Sequence, residues 1–131
     1  MRRRAGILAI IFVAMMGGLL WWNAPTSLIN ITPSDVSRIV VFNGNTGNAT
    51  TITDMTDIEY IVGNLNGVSL NKEKISLGYM GYSLRTTIYR SDGTVYKEFI
   101  INSNHTIRKD PFFYRDHSNS IDYAYIQERV K

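Results

Sequence analysis

No cysteine occurs among the 131 residues of this chain. Disulfide stapling is therefore excluded, as is anchoring through a lipid-modified cysteine, and any folded part must be held by its hydrophobic core. Small eukaryotic ectodomains lean on disulfides, so the absence points toward a bacterial protein. Catalytic signatures are missing too. No G-x-S-x-G, H-E-x-x-H, P-loop or G-x-G-x-x-G pattern is present, which removes the serine-elbow, zinc-peptidase and nucleotide-phosphate readings. The GYMGY stretch at 78–82 holds two glycines, but no helix signal follows it and it is no phosphate cradle. Nor is there an excess of one charge past the first residues. Of 14 basic residues, three are Arg2, Arg3 and Arg4, and the other 11 balance 11 acidic ones. A neutral remainder without a Lys/Arg stripe argues against nucleic acid and against electrostatic docking on anionic lipid.

What is present begins with MRRRAGILAIIFVAMMGGLLWWNAPTS. The run Ala5 to Trp22 carries no charge and nothing more polar than glycine. As a helix rising 1.5 Å per residue it spans about 27 Å, close to the hydrocarbon thickness of a bilayer. The cleavage context is poor: a cut after Ala24 places Trp22 three positions before it and Pro25 directly after. Trp21 and Trp22 read better as an interfacial belt, and the arginines set the N-terminus inside by the positive-inside rule. The expectation is a single-pass anchor at 1–22 touching the bilayer through residues 5–22, a linker at 23–34, and one extracytoplasmic domain at 35–131. Cleavage and secretion is the alternative.

About 105 residues after the anchor suit one small domain with one core. VSRIVVFNGNTGNATTIT offers two β-branched runs, Val36 to Phe42 and Ala49 to Thr53, around an Asn/Gly cluster. In TDIEYIVGNLNG, Ile58, Ile61, Val62 and Leu65 form the stripe of a helix laid on a sheet, with Thr56 and Glu59 as a capping box and Asn66-Gly67 as the stop. Gly63 inside it suggests close approach to the sheet. YSLRTTIYRSDGTVYKEFIIN predicts a hairpin on a type I′ turn at Asp92-Gly93, with Tyr89 opposite Tyr96 and a core face of Leu84, Ile88, Val95, Phe99 and Ile101. Short strands are expected around Thr106–Arg108 and Phe112–Tyr114, and SIDYAYIQERVK reads as a closing helix capped by Ser120. The sum is an α+β domain: an antiparallel sheet of about five to seven strands, one packed helix and a C-terminal helix.

The segments VSRIVVFNGNTGNATTITDMTDIEYIVGNLNGVSL and KISLGYMGYSLRTTIYRSDGTVYKEFIIN, with ISLGYMGYS the most distinctive part, resemble a group of short Gram-positive proteins. Each joins an export or anchor segment to one outer domain of unknown function. The resemblance implies location and fold style and transfers no catalytic residue. Where relatives carry a lipid-attachment cysteine, this chain has none, which leaves the helix as tether.

Candidate chemistry is sparse. His105 and His117 lie near Asp110, Asp116 and Asp122, the material of a metal site or acid-base pair, but the spacing matches no ligand motif and exposed loop histidines explain them as well. Asp54, Asp57 and Glu59 could hold calcium, although complementing a helix dipole is the simpler account. Tyrosines are more informative. Tyr79, Tyr82, Tyr89 and Tyr96 form a candidate binding face that would stack on sugar rings or receive a peptide, or else would simply stabilise the sheet. The leading reading is a non-enzymatic, membrane-tethered module that binds an envelope protein, a peptide or cell-wall glycan, with no cofactor implied and no nucleic acid. The rivals are a small envelope hydrolase or metal-dependent enzyme using His105 and His117, and an immunity- or inhibitor-type protein.

Overall fold

In the computed structural model, which describes residues 1–130, Arg2–Asn23 forms one helix, α1, none of whose side chains is buried by the rest of the chain. It is long and apolar enough to cross a membrane. The rest is α+β: a single eight-stranded antiparallel sheet with two helices against one face. In chain order the elements are β1 (Thr26–Ser27), β2 (Val36–Asn43), β3 (Asn48–Ile52), α2 (Met55–Asn66), β4 (Ser69–Ile75), β5 (Leu84–Arg90), β6 (Val95–Ile101), β7 (Thr106–Lys109), β8 (Phe112–Arg115) and α3 (Tyr123–Arg129). The strand order across the sheet is β1-β4-β8-β7-β6-β5-β2-β3.

Alternation along the strands separates the two faces. Ile39 and Val41 of β2, Leu84, Thr86 and Ile88 of β5, Phe99 and Ile101 of β6 and Ile107 of β7 all point to the covered face and are buried. Against them lie Ile58, Ile61, Val62 and Leu65 of α2, the stripe read from the sequence. Each such side chain contributes about 1.5–3 kcal/mol on burial. α3 adds Ile126, with Ile121 and Val130 at its flanks. α3 is tied to α2 by Tyr60 and Tyr125, whose rings are 4.0 Å apart, and by Arg129 Nε donating to Asp57 Oδ1 at 2.6 Å.

Several expectations are corrected. Residues 23–34 are not a free spacer: Thr26–Ser27 pairs with Ser69 and Leu70 of β4, and Leu28, Ile29 and Ile31 are buried in the core. The Asn66 amide holds the segment, accepting from Ile31 N at 3.1 Å and donating to Ile31 O at 2.8 Å. The apolar SLINI sequence outweighs the turn signal of Pro25 and Pro33, because the curled sheet leaves a place for its side chains. β4 escapes a periodicity reading since only Leu70 among its residues is buried. The helix caps shift as well. Asp54, not Thr56, caps α2 by accepting from Asp57 N at 3.1 Å, and Asp122, not Ser120, caps α3 by accepting from Tyr125 N at 3.1 Å. Gly63 faces away from the sheet, and a Cβ there would meet nothing within 4 Å.

The β5–β6 hairpin keeps the expected register from Leu84↔Ile101 to Ile88↔Lys97, then slips so that Tyr89 faces Val95. The cause lies in the turn. Gly93 N donates to Arg90 O at 2.9 Å and Gly93 takes φ of +87°, while Asp92 keeps a negative φ and accepts from Thr94 N and Oγ1 at 2.9 and 2.6 Å. This is a three-residue loop with a glycine bulge rather than a type I′ turn. The extra residue turns Val95 out, leaving it 54% exposed instead of in the core, and turns Tyr96 inward.

Candidate functional site

The sheet face opposite α2 and α3 is covered by no element over β2, β5, β6 and β7. Strand alternation and register place on it Arg38 and Tyr89, Val40 and Thr87 with Glu98, and Phe42 and Arg85 with Ile100 and Arg108. None of these is fully buried. The arginines lie on aromatic rings: Arg38 Cζ is 3.8 Å from the centre of the Tyr89 ring, and Arg85 Cζ is 4.4 Å from that of Tyr82. Tyr82 in turn meets Phe42 at 5.9 Å. Such stacking holds a guanidinium flat while its N–H fork stays free for an acceptor.

Arg108 is partly committed, its Nε donating to Asp110 Oδ1 at 2.9 Å. Beside it, Arg85, Glu98, Ile100, Arg108 and Asp110 line an open hollow of about 210 Å³. Glu98 is spaced from the guanidiniums and accepts instead from Thr87 Oγ1 at 3.2 Å. Three guanidiniums, of Arg38, Arg85 and Arg108, against the two carboxylates of Glu98 and Asp110 leave the open face with a small positive excess, although the domain as a whole is neutral. Residues far apart in sequence, which a charge count treats as scattered, are brought to one side by the strand order.

The structure splits the four tyrosines. Tyr82 and Tyr89 sit on the open face, and Tyr79 lies at its β8 end, its ring edge-on to Phe113 at 5.1 Å. Tyr96 does not join them. Its Oη donates to Asn30 O at 3.1 Å and accepts from Asn30 N at 2.9 Å, so it pins the segment after β1 to the covered side. The arginine partners of Tyr82 and Tyr89 were missed in the sequence, where the i to i+3 spacing of Tyr82 and Arg85 was the available signal for one of them.

The aspartates among the remaining candidates are engaged in bonds that hold the fold. Asp116 is buried and accepts from Ser118 N, Ser120 N and Ser120 Oγ at 2.9, 2.7 and 2.6 Å. Burial raises its pKa, but these hydrogen bonds outweigh burial and the net shift is downward. Asp110 is held below the usual carboxylate range by hydrogen bonds from Arg108 and from Ser76 Oγ at 2.5 Å. Asp122 caps α3 and accepts from Tyr60 Oη at 2.5 Å. Of the histidines, His105 lies 2.8 Å from Asn104 Oδ1 and His117 is exposed. In the calcium candidate, Asp54 is a cap and Asp57 is bound to Arg129 and Tyr125. Among the described residues no three His, Asp or Glu side chains gather as a metal site.

A second concavity, about 140 Å³, opens beneath β1 between Leu28, Leu70, Lys97 and Tyr114. Burial first and Lys109 second push the Lys97 pKa down, and its ammonium donates to Leu28 O. That bond ties β6 to the segment after β1.

At the β4 edge, α1 is fastened to the domain. Trp21 and Trp22 meet Phe112 edge-on at 5.8 and 5.7 Å, and Lys72 Nζ donates to Trp21 O at 3.3 Å while lying 4.3 Å from the Trp21 ring centre. The cation thus satisfies a terminal helix carbonyl at the negative end of the dipole. Comparison of the chain with protein-family models, with curated proteins and with solved structures found no match.

Proposed function

We propose that the protein is a membrane-tethered, non-enzymatic binding module whose open sheet face captures an acidic segment of a neighbouring envelope protein outside the cell. The carrying observation is the pair of stacked guanidiniums, Arg38 on Tyr89 and Arg85 on Tyr82, on a sheet face that no other element covers. A guanidinium held flat loses little freedom when it binds a carboxylate in its fork. The tyrosine rings are already occupied by arginine, which favours carboxylate recognition over sugar stacking. The apolar α1 with Arg2, Arg3 and Arg4 before it supports a tether with the N-terminus inside, and the resemblance to short anchored Gram-positive proteins points the same way.

The test uses the full chain in nanodiscs of zwitterionic lipid, with fluorescent polyglutamate as probe and polylysine as control. Polyglutamate should bind, and added salt should weaken it. Replacing Arg38 and Arg85 together by Gln removes two charge-assisted contacts of about 1.5–3 kcal/mol each, which lowers affinity by about a hundredfold or more. Tyr96→Phe, on the other side of the sheet, should leave capture unchanged. Undiminished binding by the double variant removes the open face as the capture site.

A further inference from the structure

β4 ends at Ile75 and enters the loop 76–83, where exposed apolar side chains collect: Ile75 is 57%, Leu77 65% and Met80 97% exposed. Gly78 and Gly81 both adopt φ of +85°, so the backbone reverses on either side of Met80 and presents it at the tip. The loop is nevertheless pinned. Ser76 N donates to Pro111 O at 2.8 Å, Ser76 Oγ to Asp110, and Arg108 Nη1 to Gly81 O at 3.5 Å, while Tyr79 stands against Phe113. A pinned loop with an uncovered apolar tip is a surface built to meet something.

Its direction is set by the junction with α1. Asn71 Nδ2 donates to Asn23 O at 3.2 Å, one step along β4 Lys72 reaches Trp21 O, and Trp21 and Trp22 meet Phe112, the cross-strand partner of Ile75. Moving down α1 toward its N-terminus therefore moves along β4 toward Ile75. At about 3.3 Å per residue, Ile75 lies roughly 13 Å beyond Asn71, on the side where α1 continues. Tryptophans such as Trp21 and Trp22 settle at headgroup level.

We propose that Ile75, Leu77 and Met80 insert into the headgroup and upper acyl region of the same bilayer that α1 crosses, giving the domain a second lipid contact beside its tether. The inference rests on reading α1 as a membrane span. Lipid is the occupant because the loop leaves β4 from Ile75, the cross-strand partner of the Phe112 on which Trp21 and Trp22 rest, toward the side where α1 continues. Lys74, at the end of β4, lies 4.9 Å from the Tyr79 ring of the loop and has an aliphatic stem and a charged head suited to lipid phosphate. Three apolar side chains also fall short of the area a stable protein interface buries.

The cysteine-free chain accepts single labels, so the full-length protein can carry an environment-sensitive fluorophore at Met80→Cys, Phe12→Cys or Thr51→Cys. Thr51 lies on β3, at the opposite sheet edge from the anchor. In phosphatidylcholine vesicles containing doxyl-lipid quenchers at both shallow and deep acyl positions, the labels at 12 and 80 should be quenched several-fold more than the label at 51. A label at 80 that behaves like the one at 51, beside a quenched label at 12, overturns insertion and leaves the span standing. An unquenched label at 12 overturns the span and the insertion with it. Adding Ile75→Asp and Leu77→Asp should bring quenching at 80 down to the level at 51; if quenching persists, the label rather than the loop made the contact, and the proposal fails.

Discussion

Phe112 is the ring on which both tryptophans at the end of α1 rest. Trp21 meets it at 66° and 5.8 Å, Trp22 at 84° and 5.7 Å. Phe112→Leu keeps apolar bulk on β8 and its strand pairing but deletes both edge-to-face contacts. Each such contact is worth about 0.5–1.5 kcal/mol beyond area, so the pair amounts to about 1–3 kcal/mol. That corresponds to a roughly 5- to 150-fold fall in the ratio of docked to free orientations. Lys72 and Asn71 still hold the last turn of α1, so the expected change is from one orientation to several, without release of the domain. Nitroxides at Leu19→Cys and Thr51→Cys, in nanodiscs, read this as a distance distribution by double electron–electron resonance: narrow in the parent, broad in the variant. Equally narrow distributions, with near-ultraviolet dichroism unchanged, would refute the idea that these rings orient the domain.

Two further outcomes follow from the fold. Gly63 sits on the open side of α2 with space for a methyl group, so Gly63→Ala should stabilise the domain by about 1 kcal/mol, a rise of roughly 4–8 °C in Tm for a domain of this size; a fall on thermal melting would mean that face of the helix is not open. Hydrogen bonds from Arg129 and then Tyr125 lower the Asp57 pKa, and Asp92, Asp110 and Asp116 are lowered as well. Folded values below the unfolded reference of about 3.9 mean stabilisation that is complete above that reference and lost as pH falls through the folded values. Urea denaturation should therefore give a flat stability from neutral pH to about pH 5 and a decline below it, and Asp57→Asn should be less stable at neutral pH with a shallower acid decline. An identical profile for Asp57→Asn would show that its ties to Arg129 and Tyr125 contribute nothing.

Much of the architecture is legible along the chain, and the reasons are local. α2 announces itself because Ile58, Ile61, Val62 and Leu65 recur at helical spacing. The β5–β6 register from Leu84↔Ile101 onward follows from alternation and the position of Asp92-Gly93, up to the bulge that Gly93 introduces. β1 and β4 are hidden for the opposite reason. A two-residue strand has no period, and β4, next to the sheet edge, has one buried side chain, its pairing decided by partners 37 to 44 positions away, such as Phe112 and Thr26. The candidate surface was half visible. The tyrosines stand out by type, but alternation alone puts Tyr89 and Tyr96 on one face, which the bulge separates, and a charge count balances the arginines against acids elsewhere.

The apolar N-terminal helix, the α+β class, the core stripe of α2 and the absence of disulfides follow from residue type and from spacing within one segment. That Arg38, Arg85 and Arg108 share an uncovered face, that the residues after the helix pack into the core, and that Trp21 and Trp22 close on Phe112 are products of long-range strand pairing. Those results depend on which strands become neighbours, and pairing across tens of residues is chosen by the packing of the whole sheet, which no local window of the chain contains.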